Sequence, residues 1–201
     1  NFTNTLTKTG DGTVTYSSSD TNVAEVNQTS GEVTIKAAGT VTITATVQDG
    51  TNYTYATKTA TYTLTVNKKA VTVKANDIYK TYGDTDPALT ATVTGAVGSD
   101  NIVYSLSRET GEVFKTGGYI ITTTVNESDN PNYNVTPQNG LFTISAKVIT
   151  ITADGATKTY DGTALTKNTY TNTELVSGDT IQSVTITGSQ TNGGYSYNVP
   201  S

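Results

Sequence analysis

The chain has 201 residues, with 12 Lys and Arg against 17 Asp and Glu, and its formal net charge is -5. Binding to nucleic acid needs a clustered basic surface, so this charge balance excludes nucleic acid as an expected partner. The sequence has no Cys, His, Met or Trp. These absences exclude thiol nucleophiles, sulfur-bound zinc and His-based catalytic triads. No apolar run approaches the roughly 18 to 20 residues that a membrane helix requires, so we expect no membrane insertion.

Apolar side chains alternate with Thr along much of the chain, as in residues 41–47 and 61–66. A period of two places apolar side chains on one face of a strand and hydroxyl groups on the other. β-branched residues such as Thr also favour strands. The pattern predicts an all-β protein of half-buried antiparallel strands, with Ile43 and Ile151 among the inward-facing residues.

The first predicted module covers residues 1–67. Strands at 23–26 and 33–35 flank a polar segment, 27–31, whose last residue is Gly31. Because Gly adopts a positive φ without steric cost, this segment predicts the loop of a β-hairpin.

The second predicted module covers residues 68–146. A loop at 108–112 is predicted between strands at 102–106 and 113–114. The prolines of this module fall in predicted loops, outside the alternating runs: Pro87, Pro131 and Pro137.

An internal repeat marks the start of a third module, residues 147–201. Residues 69–82 recur 78 residues later as 147–160, and both copies end in Lys-Thr-Tyr followed by a Gly/Asp pair. The third module stops early, so we expect that it lacks its closing strands. Only two to four residues separate the predicted strands at each junction, which leaves the modules little freedom to swing. The sequence therefore predicts an elongated, semi-rigid arrangement of small domains.

Four segments of the first module resemble the bacterial immunoglobulin-like domain, group 2. In chain order, these segments are residues 16–20, 23–26, 31–34 and 38–45. Little in the chain corresponds to the first strand of that family, so we expect that this strand is missing. The resemblance implies an immunoglobulin-like β-sandwich.

The second and third modules resemble two related bacterial repeats. The second is similar to MBG repeats of the YGX type on the motifs Lys80-Thr81-Tyr82-Gly83-Asp84, Asp86-Pro87, Gly117-Gly118-Tyr119, Asn132-Tyr133 and Leu141-Phe142-Thr143-Ile144. The third is similar to YDG repeats on Tyr160-Asp161-Gly162-Thr163. The resemblances imply tandem modules of secreted or cell-surface bacterial proteins, often adhesin-like, with no catalytic residues. We expect both modules to be β-sandwich-like, with a β-grasp-like arrangement as the alternative.

Acidic residues in the predicted turns are the candidate metal ligands. Asp84, Asp86, Asp129 and Asp161 carry oxygen atoms of the kind that Ca²⁺ binds. The spacing of known calcium loops is absent, and Asp is a common residue of solvated turns. We therefore predict no cofactor, with Ca²⁺ as the alternative.

Thirteen Tyr residues against three Phe suggest a second kind of site, in which sugars stack on exposed rings. Tyr53, Tyr133 and Tyr195 are the candidate ligand-binding residues. In the alternative interpretation, the rings pack at the edges of thin sandwiches.

The predicted function is that of a non-catalytic stalk in a bacterial cell-surface or secreted protein, monomeric and extracellular, which extends and presents binding regions. The Glu residues mostly lie at turns and do not form the facing carboxylate pair of a glycosidase. Lys69 and Lys147 begin strands, and we expect them on the solvent side and not in a buried isopeptide bond. The alternative function is direct binding of a host glycan, mucin or matrix ligand by the modules.

Overall fold

The computed structural model describes residues 1–56 and 58–201. Their regular structure consists of β-strands and a short 3₁₀ helix, Glu127–Asp129, and these residues include no α-helix. The first strands are β1 (Phe2–Thr3), β2 (Val14–Ser18), β3 (Ala24–Val26), β4 (Glu32–Ile35), β5 (Gly39–Val47) and β6 (Thr59–Val66). The next are β7 (Lys69–Ala75), β8 (Ile78–Thr81), β9 (Ala91–Thr94), β10 (Ser105–Arg108), β11 (Tyr119–Thr124), β12 (Tyr133–Gln138) and β13 (Gly140–Ser145). The last are β14 (Ile151–Ala153), β15 (Tyr170–Asn172), β16 (Ile186–Thr187) and β17 (Val199–Pro200). The all-β prediction is confirmed.

The chain forms two compact units. Unit 1 comprises Asn1–Asp77, Leu89–Glu109 and Ile120–Leu141, and unit 2 comprises Ile78–Ala88, Thr110–Tyr119 and Phe142–Ser201. The division of the sequence into modules at residues 1–67, 68–146 and 147–201 stays a prediction.

The beginning of unit 1 is a β-sandwich. One antiparallel sheet has the strand order β2-β5-β6 and the other has the order β1-β4-β3. Apolar side chains from both sheets form a common core: Tyr16, Ala24, Val26, Val33, Val41, Ile43 and Ala45. The alternation predicted for residues 41–47 is confirmed, because every second residue of β5 from Val41 onward is buried. Two sheets that bury their apolar faces against one another give the sandwich that the sequence predicted.

The predicted hairpin of residues 27–31 is also confirmed. β3 and β4 pair antiparallel on either side of it. The Asn27 Oδ1 atom accepts hydrogen bonds from the backbone N–H groups of Thr29 and Ser30, at 3.0 and 2.9 Å. Gly31 has a φ of 70°, and a Cβ atom at this position would lie 3.0 Å from the Tyr16 ring. Both the backbone conformation and the close approach of the ring therefore require Gly here.

Unit 1 continues with a sheet of order β12-β7-β9, in which β12 runs parallel to β7. The prediction of antiparallel strands is therefore wrong for this pair. The prediction of a loop at Pro137 is also wrong, because Pro137 lies within β12, opposite Val73. β12 is the edge strand of this sheet, where a residue without an N–H group is tolerated.

The strand predicted at residues 102–106 lies a few residues later, as β10. It pairs antiparallel with β11, with Arg108 opposite Ile121. Val113 and Phe114, the second predicted strand, are 60% and 63% exposed and lie outside the strands. Two adjacent apolar residues are too few to establish a period of two, which explains this error.

In unit 2, β13 pairs parallel with β8, and Phe142 lies opposite Ile78. Phe142 and Ile144 are buried on β13. Among the described residues beyond Ile144, none is buried. Ile151, predicted to face a core, is only half-buried on β14, whose partner is the short strand β15.

Candidate functional site

The side chain of Lys80 is the most buried charged group near the candidate calcium ligands. Lys80 lies on β8, and its side chain is 3% exposed. Its Nζ atom donates to Asp86 Oδ1 at 2.6 Å, to Glu112 Oε2 at 2.5 Å and to the backbone oxygen of Asp84 at 3.1 Å. It also lies 5.8 Å from the centre of the Phe142 ring. A buried ammonium group needs such partners, because desolvation without compensation is costly.

The hydrogen bonds from Lys80 to Asp86 and Glu112 raise the pKa of Lys80, although its burial opposes this shift. The ammonium group therefore lies between two carboxylates, in the position that a metal ion would need. Asp84 and Asp86 are the two candidate calcium ligands that the structure brings together, and both contact this ammonium group.

The other candidate calcium ligands lie elsewhere. Asp129 belongs to the 3₁₀ helix and accepts a long bond from Ser128 Oγ, at 3.5 Å. Asp161 pairs with Lys158 at 2.8 Å and accepts bonds from Thr163, and these contacts lower the pKa of Asp161. In the described part of the chain, no three acidic residues converge in a way that suits a metal ion. A calcium site stays an untested alternative.

We expect Lys80→Met to lower the free energy of unfolding by about 1 to 2 kcal/mol at pH 7, because charged hydrogen bonds to two carboxylates are lost. The pKa of Lys80 is raised in the folded chain. The contribution of Lys80 to the free energy of unfolding is therefore complete below its ordinary pKa of 10.5. This contribution is lost as the pH rises through the pKa that Lys80 has in the folded chain. The free energies of unfolding of the parent chain and of Lys80→Met should therefore approach one another at high pH. Urea unfolding of both proteins between pH 8 and pH 12 measures this change.

The matched control for this prediction is Lys74→Met, since Lys74 is exposed on β7. A stability difference between Lys80→Met and the parent that persisted unchanged to pH 12 would contradict the ion pair as its cause.

The candidate sugar-stacking residues have different environments. Tyr133 is 6% exposed and packs in a core with Val71, Val73 and Ile102. Its hydroxyl donates to Asp100 Oδ2 at 2.5 Å. The ring is not available to a sugar, so the structure corrects the prediction for Tyr133.

Tyr53 and Tyr195 are exposed, at 58% and 85%. Tyr195 lies beside Tyr197, with ring centres 6.2 Å apart and the planes at 83°, an edge-to-face arrangement. The two rings line a groove in unit 2 with a volume of about 510 Å³. Tyr160, from the Lys-Thr-Tyr repeat, lies on the same groove.

Sequence reasoning missed Lys80 and Glu112 as partners and Tyr160 as a surface ring. The repeated Lys-Thr-Tyr motif carried the signal, because Lys80 and Lys158 each pair with an Asp that follows within six residues, Asp86 and Asp161. The two Lys residues occupy corresponding positions of the repeat, whereas their Asp partners lie six and three residues further along the chain. Glu112 gave no local signal, because it lies 32 residues from Lys80.

Comparison with known families finds matches for two parts of the chain. Residues 71–143 match the MBG domain (YGX type), and residues 3–51 match the immunoglobulin-like domain of intimin. Comparison with curated proteins and with solved structures finds no significant match. The predictions of an immunoglobulin-like module and an MBG module are confirmed, and the YDG resemblance of residues 147–201 stays a prediction. Among the described residues, no helix has the length and apolarity to cross a membrane.

Proposed function

We propose that the chain is a non-catalytic segment of a bacterial cell-surface protein of the adhesin type, and that it extends and presents binding regions. An intimin-type immunoglobulin-like domain followed by an MBG domain supports a surface-exposed, adhesin-like protein. The absence of His and Cys supports a non-catalytic role, because the common general base and the thiol nucleophile are missing.

The observation that carries this proposal is a set of contacts at the junction between β6 and β7. β6 ends at Val66 and β7 begins at Lys69. Asn132 bonds to both sides of this junction. Its side-chain Oδ1 accepts from the Ala38 N–H at 2.9 Å, and its backbone oxygen accepts from the Lys69 N–H at 3.0 Å. A hinge of two residues bridged in this way resists bending between the immunoglobulin-like part and the following sheet.

The loop that carries Asn132 is itself held in place. Asn130 is 2% exposed, and its side chain exchanges hydrogen bonds with the backbone of Val103, each at 2.9 Å. Asn130 also donates to the Asn126 oxygen at 3.2 Å. A fully bonded buried amide fixes the local backbone, so Asn132 is presented to the junction in one conformation.

Small-angle X-ray scattering tests the stalk role. A compact chain of this length has a radius of gyration of about 16 Å. A stalk gives a clearly larger value that does not change with protein concentration, as expected for an extended monomer. A value near the compact estimate would contradict the proposal.

Asn132→Ala tests the junction directly. We expect a loss of about 1 kcal/mol of stability and a broader range of orientations, because the Ala38 N–H loses its acceptor. The absence of Cys allows two spin labels to be attached at exposed positions of unit 1 after Thr54→Cys and Ser99→Cys. Pulsed electron resonance then measures the distance distribution between the labels.

Asn132→Asp is the matched control, since it keeps an acceptor oxygen at the same place and should keep the distribution narrow. A distribution that is already broad in the parent chain would refute the stiff junction. So would a distribution that Asn132→Ala leaves unchanged.

A further inference from the structure

The groove in unit 2 is lined by three exposed tyrosine rings. Tyr160, Tyr195 and Tyr197 are 70%, 85% and 78% exposed. Exposed tyrosines that gather on a concave surface are typical of binding sites, because each ring offers a rigid apolar face beside a hydroxyl group. The groove volume of about 510 Å³ lies within the range of small-molecule sites.

Hydrogen bonds hold the walls of the groove in place. Asn198 Nδ2 donates to the backbone oxygens of Asp154 and Lys167, at 2.8 and 3.2 Å, and so connects the residue that follows Tyr197 to two other lining residues. Leu165 and Gln190 bond to each other through both backbone groups, at 2.8 and 3.1 Å. The rings therefore project from a preformed frame, which lowers the entropic cost of binding.

The groove also offers polar groups that are available to a ligand. Within the described residues, the side-chain amide of Asn192 and the Nζ atom of Lys167 have no hydrogen-bond partner, and both line the groove. The charges in and beside the groove balance, because Asp154 and Asp161 stand against Lys158 and Lys167. Aromatic faces, free amide donors and balanced charge suit a ligand with apolar C–H faces and many hydroxyl groups.

We propose that this groove binds a neutral oligosaccharide, with a sugar ring stacked on Tyr195 or Tyr197 and its hydroxyl groups bonded to Asn192. This binding role is separate from the stalk role, which rests on the junction at Asn132. The two proposals fail independently, because scattering does not report on the groove and sugar binding does not report on the junction.

The test is binding of the complete 201-residue chain, displayed as a multimer, to an array of neutral hexose and N-acetylhexosamine oligosaccharides, followed by titration calorimetry with the strongest hit. We expect saturable binding that falls at least tenfold when Tyr195→Ala and Tyr197→Ala are combined. Tyr195→Phe combined with Tyr197→Phe keeps both rings and should retain most of the affinity.

Tyr79→Ala is the matched control, because Tyr79 is 69% exposed in the same unit and does not line the groove. It should bind like the parent chain, and circular dichroism verifies that every variant is folded. Three results would overturn the proposal: no saturable binding to the array, equal loss with Tyr79→Ala, or binding only to acidic glycans.

Discussion

Ile43→Thr is expected to lower the free energy of unfolding of the immunoglobulin-like part by about 2 to 4 kcal/mol. Ile43 is 1% exposed in the middle of β5 and belongs to the core shared by both sheets. The substitution removes buried apolar atoms and places a hydroxyl group where the surrounding side chains are apolar. Because small domains have only about 5 to 15 kcal/mol of stability, this is a large fraction of the total.

Ile151→Thr is the matched control, since it makes the same chemical change at a half-buried position. We expect it to cost about 1 kcal/mol or less, because the new hydroxyl group stays in contact with water. Urea unfolding followed by far-ultraviolet circular dichroism gives both values, and hydrogen exchange localises the loss to β5 and its neighbours. Equal costs for the two variants would contradict the difference in burial between the two sites.

Phe142→Ala is expected to have the largest effect of any single truncation in unit 2, about 3 to 5 kcal/mol. Phe142 is fully buried on β13, opposite Ile78 of the parallel strand β8. Its removal leaves a cavity and takes away the ring beneath the Lys80 ammonium group. The variant therefore weakens both the apolar packing and the environment of the buried charge.

The other phenylalanine of this unit provides the control. Phe114 is 63% exposed, so Phe114→Ala should change stability by about 0.5 kcal/mol or less. Phe142→Leu keeps most of the apolar volume and should cost about 1.5 kcal/mol, between the two alanine variants. The assignment of Phe142 to the core fails if Phe142→Ala unfolds at the same urea concentration as Phe114→Ala.

Local sequence patterns were sufficient for the strands at the beginning of unit 1, and the family resemblance supplied the expectation that these strands form a sandwich. The alternation along β5 identified its buried face, because the side-chain period of a strand is fixed by its backbone. The hairpin of residues 27–31 was also predictable, because Gly31 and the Asn27 side chain determine the turn within five residues.

Patterns confined to a few residues gave no information about parallel pairing. The strands β12 and β7 are joined by a long connection, and the residues within a strand do not determine which other strand it pairs with. The same limit explains Pro137, whose place in a strand depends on β12 being at the sheet edge.

The sequence by itself determined the strand content, the first hairpin and the repeated Lys-Thr-Tyr motif. Only the tertiary structure decided which polar and aromatic side chains work together. It brought Glu112 to Lys80, buried Tyr133 and left Tyr195 and Tyr197 on an open groove. Strand and turn preferences depend on neighbouring residues, so the sequence alone was sufficient to predict them. Burial and electrostatic pairing depend on residues far apart in the chain, so only the tertiary structure decided them.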